Sequence, residues 1–131
     1  MDMVEMKTAS LSGPALDWAT ANAIGFKCFY LDKDRGILGC RTDDSYICVI
    51  GGADKLSGYE IFQSKFYSPS TNWAQGGPLW GKYATRMAFC NGWLVAVEGG
   101  DAHGSTQLEA LCRAIVTAWL GDTVMIPVEL A

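Results

Sequence analysis

The sequence predicts a single α+β domain over residues 1–131, built as a mostly antiparallel sheet with two principal helices, one N-terminal and one C-terminal. Three observations lead there. Apolar residues recur at helical spacing near both ends of the chain. Short strand-like runs, separated by turn residues, fill the middle. Asn91-Gly92 stands between two apolar runs, the favoured signal of a tight hairpin. The 131 residues are 50% hydrophobic and 18% charged, a globular composition that excludes a disordered or fibrous chain.

The first element is a helix from about Ser12 to Ala23. Ser12 is an N-cap residue, Pro14 is tolerated in the first turn, and Gly25 is a natural stop. Leu16, Ala19 and Ala23 give it a face, and Leu11 packs back at its start. Strands follow at Phe26 to Leu31 and Ile37 to Arg41, joined by the polar turn 32–36, and then at Tyr46 to Ile50 after the turn 42–44. Gly51-Gly52 breaks the chain, and Tyr59 to Gln63 reads as a further short strand. From Ser64 to Tyr83 the pattern is lost. Pro69, Gly76, Gly77, Pro78 and Gly81 make this mostly loop, with a helical turn near Pro78, and its many aromatics argue against disorder.

The hairpin pairs Thr85 to Cys90 with Trp93 to Val97. A two-residue turn sets Cys90 opposite Trp93, Ala88 opposite Val95 and Arg86 opposite Val97. Both faces are largely apolar, so a cover is expected on each, one of them a helix and the other a partner subunit. The Gly-rich stretch 99–106 leads into the second helix, Gln107 to Leu120. Thr106 and Glu109 are spaced as a capping box, and Leu108, Leu111, Cys112, Ile115 and Trp119 form the stripe that faces the core. Gly121 ends that helix, and Thr123 to Val128 is β-prone, held to an edge by Pro127.

Composition removes several functions. A net charge of −4 argues against a general nucleic-acid binder. The longest apolar runs are five residues, far short of the roughly 20 that span a bilayer. Asp2, Glu5 and Asp17 in the first twenty residues do not fit a signal peptide. The five cysteines, Cys28, Cys40, Cys48, Cys90 and Cys112, are odd in number and show no C-x-x-C spacing, so they read as reduced, mostly buried thiols of a cytoplasmic protein. His103 is the lone histidine and reads as a surface-loop residue; no multi-histidine metal site, Walker A, dinucleotide fingerprint or nucleophile elbow is present. Asp43-Asp44 in a turn is thin support for a metal. No catalytic residue, metal ligand or cofactor is assigned, and the chain is not read as an enzyme.

The positive signal is a window free of carboxylates. Between Glu60 and Glu98 the chain carries +3, from Lys65, Lys82 and Arg86, leaving −7 for the rest. The same window holds aromatic faces that stack on flat rings, in Tyr67, Trp73 and Trp80. Ser70, Thr71, Asn72 and Gln75 offer hydrogen bonds, and Gly76 and Gly77 let backbone amides come close. Lys82 and Arg86 would neutralise phosphate. Together these residues are the inventory of a pocket for a nucleotide-like small molecule. The competing reading is an ordered loop whose aromatics cap the core, and the residues alone leave both open. The amides ahead of the last helix form a second, weaker candidate for an anion, opposed by Asp101; Arg113 there reads as part of a solvated helix face.

Three stretches resemble the NinX-like family of small bacteriophage proteins: Met6-Lys7-Thr8 with Leu11 to Ala19, Tyr67 to Leu79, and Leu108 to Leu130. They cover about half the chain in the family's order, and the middle one is the most specific. The segment from Phe26 to Phe66 carries no recognisable motif. The resemblance implies a phage-encoded protein and no particular activity. In that setting, a small protein without catalytic parts fits an accessory acting on the host, such as one that sequesters cyclic or NAD-derived nucleotides used as infection signals. The alternatives are an adaptor or inhibitor of a host protein and an accessory of phage recombination or DNA metabolism. The expected partners are therefore a nucleotide-like small molecule and a second copy of the chain, in a homodimer or higher homo-oligomer, with no membrane and no direct nucleic-acid contact.

Overall fold

Two helices pack against each other at the centre: α1 (Gly13–Ala23) and α4 (Gln107–Leu120). The computed structural model describes residues 1–43 and 45–131, so Asp44, paired above with Asp43 as a metal candidate, lies outside the described residues. Among the described residues are four helices and eight strands, the strands arranged in three antiparallel sheets. In chain order the elements are β1 (Met3–Lys7), α1, β2 (Lys27–Asp32), β3 (Ile37–Arg41), β4 (Ile47–Gly51), α2 (Gly58–Gln63), α3 (Trp73–Tyr83), β5 (Ala84–Phe89), β6 (Trp93–Val97), β7 (Gly100–Gly104), α4 and β8 (Thr123–Pro127). The sheets are β1-β8, β2-β3-β4 and β5-β6-β7. The expected α+β fold with a helix near each end is what forms.

α1 is buried almost all round. Ala15, Leu16, Trp18, Ala19, Ala21 and Ala23 join the core, and Asp17 and Thr20 go in with them. Thr20 satisfies its hydroxyl by donating to the carbonyl of Leu16 at 2.8 Å. Ser12 sits at the N-cap, but its side chain makes no capping bond. α4 buries Leu108, Leu111, Cys112 and Ile115 as expected, whereas Trp119 turns out to the surface at 48% exposure and meets Tyr83 edge-on. The reason is local: Trp119 belongs to the last turn, beyond the end of the sheet that α4 covers.

The Gly-rich stretch before α4 is a strand, β7. A Cβ on Gly104 would stand 2.5 Å from the Ala110 amide nitrogen, and one on Gly100 would stand 3.0 Å from that of Ala118. The glycines let the strand lie directly on a helix face of alanines, at a separation that no side chain permits. At the other edge, β1 pairs with β8 from Met3 opposite Pro127 to Lys7 opposite Thr123. Thr8 locks the end of this ribbon, its amide donating to the Asp122 carbonyl and its hydroxyl to that of Gly121.

The hairpin forms one residue out of the expected register. Phe89 lies opposite Trp93, Met87 opposite Val95 and Arg86 opposite Ala96, with a bulge before Ala84 meets Val97. The turn takes three residues, Cys90 to Gly92, with positive φ at Asn91 and Gly92. The slip has a physical reason. Val95 and Val97 face α4, and the expected register would have driven the Arg86 guanidinium in beside them. The observed register sends Arg86 and Ala88, both exposed, to the outer face.

Two further expectations fail in the middle of the chain. Tyr59 to Gln63 is helical, not extended: Ser57 accepts from the Glu60 amide while the Glu60 carboxylate accepts from the Ser57 amide, a complete capping box. Arg35 then holds Glu60 with two bonds of 2.9 and 3.0 Å. The supposed long loop is irregular only as far as Asn72, whose side chain accepts from the Ala74 amide and opens α3. Pro78 lies inside α3. The carbonyl it leaves unpaired, on Ala74, belongs to an exposed residue, where water can satisfy it. Residues 65–67 run parallel to β4, with the Val49 amide donating to the Lys65 carbonyl and the Tyr67 amide to that of Val49.

Candidate functional site

A cleft of about 520 Å³ opens where α3 approaches the edge of the β2-β3-β4 sheet. Residues 65–67, tied to β4, form its floor, and Gln75, Pro78 and Leu79 of α3 form one wall. Phe26 immediately precedes β2, Tyr46 comes from the turn before β4, and Cys48 from β4 itself. The Phe26 and Tyr67 rings meet edge to face, 5.4 Å between centroids. Lys65 is the cation of the lining. Its Nζ lies 3.4 Å from the centre of the Tyr46 ring, and it makes no ion pair among the described residues. Asp43 is the carboxylate of the lining, so an anionic group would settle toward Lys65 and away from it. Burial raises the Tyr67 phenol well above its ordinary range and raises the Cys48 thiol, which Lys65 pulls back. Both groups are therefore neutral at physiological pH, and the site carries no activated nucleophile there.

The structure divides the expected site residues into three groups. Tyr67 and Gln75 line the cleft. Gln75 also fastens its floor: its Nε2 donates to the Phe66 carbonyl at 2.5 Å, and its Oε1 accepts from the Ser68 amide at 2.6 Å. Ser70, Thr71, Asn72 and Gly76 serve the chain itself. The Ser70 amide donates to Asp17 Oδ1 at 2.9 Å, and its buried hydroxyl has no hydrogen-bond partner among the described residues. Thr71 is exposed, with its hydroxyl toward the Ser68 carbonyl, and Asn72 caps α3. Gly76 lies so close to Leu108 and to the Pro69 carbonyl that a Cβ would come within 2.6 Å of both. Trp73, Gly77, Trp80, Lys82 and Arg86 form the third group, outside the cleft. Trp73 is 52% exposed and stands 6.0 Å from Trp80, with Gly77 beneath its ring. Trp80 and Arg86 border a smaller groove of about 250 Å³ at the start of β5, and Lys82 is exposed near the Tyr83 ring.

Sequence reasoning passed over Lys65, Phe26, Tyr46 and Cys48. Lys65 was within reach, as the first cation of the carboxylate-free window. The others come from distant segments and only the sheet brings them together. Asp17 was also missed. It is buried, and burial raises its carboxyl from 3.8 to about 6 against the opposing effect of Ser70.

The second candidate, at the start of α4, is closed by the protein's own carboxylate. The amide and hydroxyl of Ser105 both donate to Glu109 Oε1, at 3.0 and 3.1 Å, so the anion position is filled. The return arm of the expected capping box thus goes to Ser105, while the Glu109 amide donates to Thr106 as expected. Arg113 is not on a solvated face: it donates to the carbonyls of Leu11 and His103 and pairs with Glu109. His103 is exposed, but on β7 rather than in a loop.

Fold and site together describe a small α+β protein with an aromatic cleft between α3 and the β2-β3-β4 sheet. A family model described as Bacteriophage P22, NinX matches residues 7–118, and the chain belongs to that family. The match runs across 26–66, the segment in which the sequence shows no familiar motif, and so takes in the sheet that forms the cleft. No curated protein matches the chain. Among the described residues, no helix is long and apolar enough to cross a membrane.

Proposed function

We propose that this phage protein is a non-catalytic binder of a nucleotide-like small molecule, held in the cleft between α3 and the β2-β3-β4 sheet. One observation carries the reading: four aromatic rings, of Phe26, Tyr46, Phe66 and Tyr67, line a space of about 520 Å³ together with Lys65, which makes no ion pair among the described residues. That volume falls within the roughly 300–1,000 Å³ of small-molecule sites. Rings supply faces for a base, and Lys65 supplies charge for a phosphate. In the cytoplasm of the bacterial host, such a binder would withdraw a cyclic or NAD-derived nucleotide that signals infection. Sequestration requires affinity alone: a nanomolar site corresponds to about −12 kcal/mol. The test is thermal shift with cyclic dinucleotides and with ADP-ribose. A saturable rise in Tm is expected, reduced in Lys65→Gln and retained in Lys82→Gln. No rise with either class at millimolar concentration overturns the reading.

A second reading, an adaptor for a host protein, draws support from α2, where Tyr59 and Phe62 are 71% and 87% exposed on a helix that buries none of its residues. Stoichiometric capture of one host protein, lost in Phe62→Ser and indifferent to Lys65→Gln, separates it from the first. The reading also includes a homodimer formed through the outer face of the β5-β6-β7 sheet.

A further inference from the structure

Three of the five cysteines form a single row across the β2-β3-β4 sheet: Cys28 lies opposite Cys40, and Cys40 opposite Cys48. Directly opposed residues share a face, so the three thiols point the same way, beneath α1. The hydrogen-bond phase distinguishes the two pairs. The Thr42 amide donates to the Tyr46 carbonyl, and the amide and carbonyl of Val49 both turn away from β3 toward residues 65–67. Counting two residues from the first and one from the second, Cys40 directs its backbone groups at Cys48. Its pairing with Cys28 is therefore the non-hydrogen-bonded kind, with Cα atoms about 4.5 Å apart and side chains at their closest. Two sulfurs sharing one ion stand at most about 4.6 Å apart, twice a metal–sulfur bond of roughly 2.3 Å. Among the opposed pairs of this row, Cys28 and Cys40 bring their side chains closest.

A second observation, independent of the register, concerns what surrounds the outer thiol. Cys28 is half-buried on the edge strand and opens into a separate cleft of about 550 Å³, whose lining includes the three methionines Met1, Met3 and Met125 beside Trp18. Thioethers are weak, soft donors. They add nothing to a site for calcium, magnesium or zinc and suit monovalent d¹⁰ ions. Among the described residues, no three of His, Cys, Asp and Glu converge on one point, which excludes a closed tetrahedral zinc site of the usual donors.

We propose that Cys28 and Cys40 bind a soft monovalent cation, Cu(I) or its analogue Ag(I), which enters through the methionine-lined cleft. Two metal–sulfur bonds form, two S–H bonds break, and the two protons leave to solvent; no electron is transferred when the metal is supplied as Cu(I). Met1, Met3 and Met125 draw the ion in and shield it from water. Cys48, on the far side of Cys40, is a spare thiol to which the ion can pass.

The test is anaerobic competition of the full chain against the coloured Cu(I)–bicinchoninate complex. The chain is expected to withdraw a single Cu(I), with new near-ultraviolet thiolate-to-metal absorption. Cys28→Ser removes one of the two thiolates and is expected to weaken binding by more than about tenfold, the least that follows loss of even a residue that only orients a metal ligand. Cys90→Ser, which alters the exposed cysteine, is expected to leave it unchanged. The double substitution Met3→Leu with Met125→Leu keeps apolar volume and removes two thioethers; it is expected to weaken binding less than Cys28→Ser, and it tests the site should Cys28→Ser fail to fold. Withdrawal that is equal in wild type and Cys28→Ser, or that disappears in Cys90→Ser, overturns the proposal. So does Zn(II) binding that depends on Cys28 and exceeds that of Cu(I).

Discussion

Asp17 shows how much a single buried group decides. Its carboxyl is enclosed between α1 and the 68–72 segment and accepts the Ser70 amide, which anchors the segment leading into α3. The folded state keeps the proton up to about pH 6, whereas the unfolded chain releases it near 3.8. Folded protein therefore binds more protons through that interval, and this group's contribution to stability falls as pH rises from about 4 to 6. The loss amounts to about 3 kcal/mol, at 1.36 kcal/mol per pH unit. Asp17→Asn keeps an oxygen to accept the Ser70 amide and removes the charge. Urea denaturation across this range is expected to show a flatter profile for the variant and greater stability than wild type at pH 7. Equal slopes would mean that Asp17 is already relieved of its charge by other means. At the same scale, the candidate site was only partly readable from the sequence. Tyr67 and Gln75 reached the cleft because they belong to the segment that forms its floor and wall. Ser70, Asn72 and Gly76 did not, because the features that suggest ligand binding, a hydroxyl, an amide and a bare backbone, are equally those that close a turn and start a helix.

Helix starts and close packing governed which elements could be read in advance. α1, α4 and the strands of the β2-β3-β4 sheet follow from periodicity and turn residues, since there the local pattern and the tertiary burial agree. α2 was hidden by its own apolar content: Tyr59, Ile61 and Phe62 suit a strand, but they remain exposed, so no buried face dictates their form and the Ser57–Glu60 box decides. α3 was hidden by Gly76, Gly77 and Pro78, which weaken a helix in isolation. It forms because Asn72 caps it and because Gly76 lets it press against Leu108. Asn72→Ala is expected to destabilise the protein by about 1 kcal/mol, with the loss concentrated in α3 by amide hydrogen exchange. β7 escaped notice because its glycines read as loop, while in the fold they are what brings strand and helix together. Gly104→Val would put a side chain into the α4 backbone, and a loss of about 2 kcal/mol or more in urea denaturation is expected. Gly25→Ala is the contrasting case: nothing lies within 4 Å of a Cβ there, and the cost comes only from the positive φ of 94°.

At the scale of the whole molecule, the outer face of the β5-β6-β7 sheet is open to solvent at Arg86, Ala88, Asp101 and His103. On the outer side of β5-β6-β7, two rows run across the strands: Arg86, Ala96 and Asp101, then Ala88, Leu94 and His103. The middle of the face is small and apolar, and the opposite charges stand on the two outer strands. A two-fold axis laid along β6 brings Arg86 of each copy over Asp101 of the other, while Ala96 and Leu94 meet their own counterparts. The charge pattern is thus complementary to itself, and the alanines let two sheets approach the roughly 10 Å of packed β layers. Size limits the strength. Three strands about 4.8 Å apart and five residues long span on the order of 250 Å² in projection, against about 800 Å² per partner in a stable interface. A weak dimer that dissociates on dilution and with added salt is therefore expected in light scattering over a concentration series. Arg86→Glu alone and Asp101→Arg alone are each expected to shift the equilibrium toward monomer, and the double substitution to restore it, because the exchanged charges again face each other across the axis. A double variant that stays as monomeric as either single one would remove charge pairing from the account, and a wild-type chain that is monomeric at every concentration would remove the dimer itself.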